Sequence, residues 1–123
     1  MNDDAAFEYI QTYFHRLFVE RDISALDEYL HPDYWDDDIG ESGISHIDDS
    51  KIFLSNLFKR HPNINVNVEN VMCNENVITA CLRWVDQHDG HQETLRKGIA
   101  VFVLVEHRIL KRHTYIFFDK DKI

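Results

Sequence analysis

The chain has little of what would divide, cross-link or anchor it. Two cysteines, Cys73 and Cys81, are too few for a disulfide framework, and free thiols in a reducing cytoplasm are the reading they favour. Two prolines and four glycines leave no stretch with the make-up of a flexible linker. There are no repeats or low-complexity tracts. The 123 residues are therefore read as a single domain spanning 1–123, long enough to bury one core. No apolar run approaches the roughly 20 residues that cross a bilayer. The opening MNDDAAFEY lacks the basic-then-apolar order of a secretory leader. Basic residues are also scarce, 13 against 22 acidic ones, for a net charge of −9. With no basic stripe to offset repulsion from phosphates, nucleic acid and anionic membranes are excluded as expected partners. The expected setting is the cytoplasm.

What the chain does have is concentrated in His31 to Gly43, HPDYWDDDIGESG. This run is acidic, yet Tyr34, Trp35 and Ile39 are threaded through it. A purely solvating loop has little use for a tryptophan. The aromatics are expected to dip into a core or cavity and carry some of the carboxylates to its rim.

Around that run the apolar periodicity is clear. Ala6, Ile10, Tyr13, Phe14, Leu17 and Phe18 recur at spacings of three and four, which predicts a first helix with caps among Asn2, Asp3 and Asp4. Asp22 or Ser24 can cap a short second helix that Pro32 ends. A third helix is predicted from Ile47 to Arg60, capped from Ser45 and the Asp48–Asp49 pair. After Pro62 the period changes to two: Ile64, Val66 and Val68 alternate with polar residues. Asn74-Glu75-Asn76 marks a turn before a strand over Val77 to Asp86. Asp89-Gly90 is the strongest hairpin signal in the chain. Two more strands follow, from Glu93 to Glu106 and from Ile109 to Phe118. Helices followed by an antiparallel meander predict an α+β domain, with three N-terminal helices laid on one face of a sheet of four or more strands. The runs VFVLV and YIFF are apolar on both faces, which predicts a homodimer through the outer face of the sheet.

The succession ERDISALDEYLHPDYWDDDIG, HPNINVNVENV, NENVITACLRWV and KGIAVFVLVEHRIL resembles the nuclear transport factor 2-like superfamily. Within it, the likeness is to the SnoaL-like group of polyketide cyclases and ketosteroid isomerase-like proteins. It covers roughly residues 7 to 119 and rests on the order of the pieces, not on one motif. The resemblance implies a cone-shaped α+β barrel with a cavity between helices and sheet. It also implies a choice of chemistries, since the superfamily hosts isomerases, cyclases, dehydratases, epoxide hydrolases and members with no known reaction.

Matched to the ketosteroid isomerase branch, Tyr13 falls at the tyrosine of the oxyanion hole. Asp37 falls at the carboxylate base, with Asp36 and Asp38 beside it. The third position of that branch, a protonated aspartate, is Ala100 here and donates nothing. The cyclase branch places a histidine and an aspartate on the last strand, where this chain has Arg112 and Thr114. The epoxide hydrolase pattern fails, because Asp86 lies three residues beyond Arg83 and so faces the other side of a strand.

The resulting expectation is an internal pocket for a small, largely apolar or aromatic ligand. Phe14, Leu17, Trp35, Phe53, Trp84, Phe102, Arg112, Thr114 and Ile116 would line it. If the protein is an enzyme, the implied reaction is a cofactor-free isomerisation, cyclisation or dehydration, with Asp37 as base and Tyr13 as donor. The alternative is a non-catalytic dimeric binding or assembly module of the same fold. No metal is expected: neither the set His31, Asp33, Asp36 and His46 nor the pair His88 and His91 has a recognised ligand spacing.

Overall fold

The computed structural model describes residues 1–38 and 45–120. Its first helix, α1 (Asp3–Phe14), starts where the Asn2 side-chain oxygen accepts the Ala5 N–H at 2.8 Å. Asp3 and Asp4 in the first turn complement the positive end of the helix dipole. The helix then widens into a π turn over His15–Val19, which keeps Leu17 and Phe18 buried. Arg21, at φ 57°, ends the segment. Its guanidinium donates to the carbonyls of Phe18, Pro62 and Ile64, each at 2.9 Å, and lies 4.0 Å over the Phe58 ring. One side chain thus ties the end of the first helix to the stretch that follows the third.

The short α2 (Ala25–Tyr29) stops at Leu30, which is already extended. Here the expected loop proves to be, in its first half, a strand: β1 runs over Leu30–Asp36 and pairs in parallel with the last strand of the chain. Pro32 is tolerated because β1 is an edge strand, where a missing N–H can face solvent. The expectations for Ile39 and Gly43 fall on 39–44, outside the described residues. The helix α3 (His46–Arg60) begins with Ser45 Oγ accepting the Asp48 N–H at 3.1 Å.

The meander follows as β2 (Ile64–Asn74), β3 (Val77–His88), β4 (His91–Val105) and β5 (Arg108–Asp119). The β3–β4 turn puts Asp89 and Gly90 at positive φ, as that pair predicts. The spatial order is β1-β5-β4-β3-β2, five strands in an open, curved sheet. Register shifts in every neighbouring pair are what bend it, since each bulge adds local twist.

The concave face carries Ile78, Ala80, Leu82, Trp84, Ala100, Phe102 and Leu104 against α1 and its π turn, forming one continuous core. Gly98 is needed at one close approach: a Cβ there would lie 2.8 Å from the Tyr115 carbonyl oxygen and 2.9 Å from the Ile116 side chain. Among the described residues, no helix is long and apolar enough to cross a membrane.

Candidate functional site

Between α1, α3 and the concave face lies a cavity of about 280 Å³, near the small end of ligand sites. Its apolar wall is built by Phe14, Leu17 and Phe18 from the first helical segment, by Phe53, Leu54 and Leu57 from α3, and by Trp84 and Ile116 from the sheet. Most of the rest of the lining is polar, and Arg96 adds a cation over the Trp84 ring at 5.8 Å. The polar wall is made where β1 meets β5, by Tyr34, Asp36, Asp38, Arg112 and Thr114, with Tyr13 reaching it from α1 and Ser50 from α3.

The polar wall is wired by the strand period. Tyr34 and Asp36 lie two residues apart on β1 and both point inward, 5% exposed each. The Tyr34 hydroxyl donates to Asp36 Oδ2 at 3.1 Å, and the Asp38 N–H donates to Asp36 Oδ1 at 2.8 Å. Asp38 Oδ2 in turn accepts the Thr114 N–H at 2.7 Å. Arg112, the register partner of Asp36, donates from Nε to Thr114 Oγ1 at 3.2 Å. Its guanidinium lies 5.7 Å from the centre of the Phe14 ring and 5.3 Å from that of Phe102. Behind β1, His46 Nδ1 accepts the Asp36 N–H at 3.0 Å, which fixes the imidazole as an acceptor on that side.

The charges of this wall are set by burial and by each other. Burial would lower the Arg112 pKa, but the facing Tyr34, Asp36, Tyr13 and Asp38 outweigh it and the net direction is upward, so the side chain is a permanent cation. Burial pushes the Tyr13 phenol up to about 12, with Arg112 opposing and Asp36 and Tyr29 adding. Tyr34 moves in the same direction, again chiefly by burial. Both phenols are therefore protonated donors at any physiological pH.

Of the residues expected from the sequence, Tyr13, Phe14, Leu17, Phe53, Trp84, Arg112, Thr114 and Ile116 line this one cavity. Three do not. Phe102 is fully buried behind it, with its ring edge-on to both Tyr13 and Phe14, so it supports the wall without forming it. Trp35 points outward, is 44% exposed, and stacks on His46 with ring centres 4.0 Å apart. Asp37 is the main correction. It also faces outward, where Trp35 Nε1 donates to its Oδ1 at 2.8 Å and His113 and Lys111 approach its Oδ2 at 3.4 and 3.8 Å. The cause is alternation: once Tyr34 faces in, Asp36 must follow and Asp37 cannot. Tyr34 reaches the cavity, as expected of an aromatic in the acidic run although it is not among the residues assigned to the lining, and Ser50 and Arg96 reach it with no signal in the sequence. For Tyr34 the signal lay in its spacing of two from Asp36, hidden by reading the run as a loop.

The model of the SnoaL-like domain matches residues 10–112. No curated protein matches the chain. Among solved structures, TsrD from Streptomyces laurentii is similar at 13% identity with a TM-score of 0.76, covering 95% of this chain and 92% of its own. Wild-type IdmH, a candidate polyketide cyclase from Streptomyces antibioticus, is similar at 10% identity with a TM-score of 0.74, covering 91% of each chain. A candidate polyketide cyclase from Acidithiobacillus ferrooxidans is 15% identical with a TM-score of 0.71, covering 91% of this chain and 87% of its own. At such identities the likeness carries the fold and no activity. The family match over most of the chain and the cone of helices on a curved sheet agree: the protein belongs to the SnoaL-like domain family of the nuclear transport factor 2-like superfamily.

Proposed function

We propose that the domain binds a small, largely apolar or aromatic carbonyl compound in the cavity, and that Asp36, not Asp37, is the carboxylate that meets it. The observation that carries this reading is the asymmetry of the walls. One side offers aromatic and aliphatic surface; the other offers a buried carboxylate beside a fixed cation and two protonated phenols. Such a site holds a ring on one side and a carbonyl oxygen on the other. The chemistry it suits is cofactor-free proton transfer next to that carbonyl. Asp36 takes the proton from the α carbon, and the electron pair moves onto the carbonyl oxygen, which the Tyr13 hydroxyl stabilises. The same proton then returns to a different carbon, as in an isomerisation, or the carbanion attacks a second carbonyl, whose π pair moves onto its oxygen and takes the proton back from Asp36, as in a cyclisation.

A specific observation favours a second reading. Ala100 pairs with Thr114 across β4 and β5, so these two strands supply no acid at that position, and a site lacking it there also suits a non-catalytic binding module. The outer face of the sheet supports a homodimer in either case. Cys81, Ile99 and Tyr115 share one register row and Thr79, Val101 and His113 the next, and Tyr115 is 59% exposed. A thermal-shift screen of cyclic ketones and phenols on wild type, Asp36→Asn and Asp37→Asn tests the reading, because a ligand that binds the native state raises its Tm. A hit should weaken in Asp36→Asn and persist in Asp37→Asn, and wild type should exchange the α proton of that ligand with deuterated solvent. Binding without exchange would favour the second reading. A hit sensitive only to Asp37→Asn would overturn the assignment of the carboxylate.

A further inference from the structure

Away from the cavity, the far end of the β3–β4 hairpin brings four ligand-bearing side chains onto one face. Asp86 and Glu93 stand directly opposite each other in the register, and His88 and His91 form the next pair on that face, one pair beyond Gln87 and Gln92. Residues two apart on a strand share a face, so both pairs lie on the same side. His88 Nε2 is 3.6 Å from Asp86 Oδ2 and 3.8 Å from Glu93 Oε1. One donor atom from each of these three residues falls within a mutual 4.8 Å. The His88 and His91 rings meet edge to face with centres 5.8 Å apart. Two carboxylates directly opposite on neighbouring strands repel, so this arrangement is favourable only with a cation between them. Lys120 reaches Glu93 from the end of the chain and supplies part of that charge, but it does not contact Asp86.

We propose that this hairpin end binds one divalent transition-metal ion through Asp86, His88 and Glu93, with water completing the coordination. The donor set decides the class of ion. Imidazole with carboxylate suits zinc, cobalt, nickel or copper, whereas magnesium and calcium take oxygen alone. The spacing suits it as well: with bonds of about 2.0–2.1 Å, neighbouring donors around a tetrahedral ion lie about 3.4 Å apart. The imidazole-to-carboxylate distances contract by only a few tenths of an ångström to reach that geometry. The donors come from two strands joined by a two-residue turn, so the ion would clamp the turn end of the hairpin and cancel the repulsion of the facing acids. Lys120 competes for Glu93 and is displaced as the ion enters.

The test is calorimetric titration of Zn²⁺ into the chelator-treated full-length chain at neutral pH, with Co²⁺ absorption reporting the coordination. Wild type should take up one ion per chain in a saturable step and gain in Tm. His88→Ala and Glu93→Gln should each lose at least tenfold in affinity while keeping the wild-type circular dichroism spectrum, since both sites are at the surface. Lys120→Ala should bind more tightly, because its competition for Glu93 is gone. His31→Ala, remote from the hairpin, should bind as wild type does. No saturable uptake by wild type would overturn the proposal. So would full affinity in His88→Ala, or loss of binding in His31→Ala alone.

Discussion

Asp36 and Asp37 are consecutive and chemically near-identical, yet they belong to different regions of the molecule. Asp36 is one of the few buried acids, held by Tyr34, the Asp38 N–H and the field of Arg112 on the cavity side. Asp37, its side chain one-third exposed, sits among Trp35, Lys111 and His113 on the convex side. The same split recurs on the partner strand, where Arg112 faces in and Lys111 faces out. In a strand the neighbour in sequence is the opposite in space, so at this corner a one-residue error exchanges an enclosed site for a solvated ion pair. Four experiments would break or sharpen that division.

The largest effect should come with alkali. Tyr13 has its pKa pushed to about 12 from an ordinary 10.0, and Tyr34 moves the same way. For a phenol whose folded pKa lies above its unfolded one, the linked stability is complete below pH 10 and is lost as the pH rises from 10 towards 12. The expected result is cooperative unfolding in that window, with the ultraviolet signature of phenolate appearing together with loss of near-ultraviolet dichroism. Phenolate formed well before any unfolding, in amounts that require Tyr13 or Tyr34, would mean that the inner wall is open to water.

Next in size is the direct comparison of the two acids. Asp36→Ala removes the acceptor of the Tyr34 hydroxyl and of the Asp38 N–H and leaves both donors buried or half-buried beside Arg112. Hydrogen bonds to a charged group are worth about 1.5–3 kcal/mol each, so urea unfolding should report a loss of roughly 2–4 kcal/mol. Asp37→Ala loses partly exposed contacts and should cost about 1 kcal/mol or less. Equal losses would erase the division between the two faces. Gly98→Ala should fall between these, at about 1–3 kcal/mol. The new methyl group meets the Tyr115 carbonyl oxygen, which cannot rotate away, and crowds the Ile116 side chain that forms one end of the cavity. A neutral Gly98→Ala would mean that β4 and β5 can part there at little cost.

Much of this was legible beforehand, for reasons that particular residues make plain. α1 and α3 announce themselves through a stripe at helical spacing and through Asn2 and Ser45 as caps. β2 to β4 do so through alternation and the Asp89-Gly90 turn. The hidden element is β1. It holds Pro32 and two acids, Asp33 and Asp36, its partner β5 lies about eighty residues away, and its pairing is parallel, so no local turn marks it. Without β1 the aromatics Tyr34 and Trp35 read alike and the family alignment points to Asp37. With it, Tyr34 and Asp36 turn in and Trp35 and Asp37 turn out. The hairpin donors escaped for a related reason. The sequence offers His88 and His91 as a pair without a recognised ligand spacing, and Asp86 meets Glu93 only across the ladder.

The smallest effect should come from Lys111, and it is the most direct check on the outer face. Its ammonium is 3.8 Å from Asp37 Oδ2, and the two side chains are 53% and 33% exposed. Water competes for both charges, and holding a long side chain in one rotamer costs entropy, so such pairs contribute from nothing to about 1 kcal/mol. Lys111→Met keeps most of the apolar stem and removes only the charge. It should lower the unfolding free energy from urea titration by less than about 0.5 kcal/mol in low salt and by nothing measurable at 1 M salt, where screening acts over about 3 Å. A loss of 2 kcal/mol or more, insensitive to salt, would mean that the Asp37 side of the sheet is dry. That would put a covered surface where the strand period puts solvent, and the carboxylate displaced from the cavity would again become a candidate for function, at an interface on the convex side.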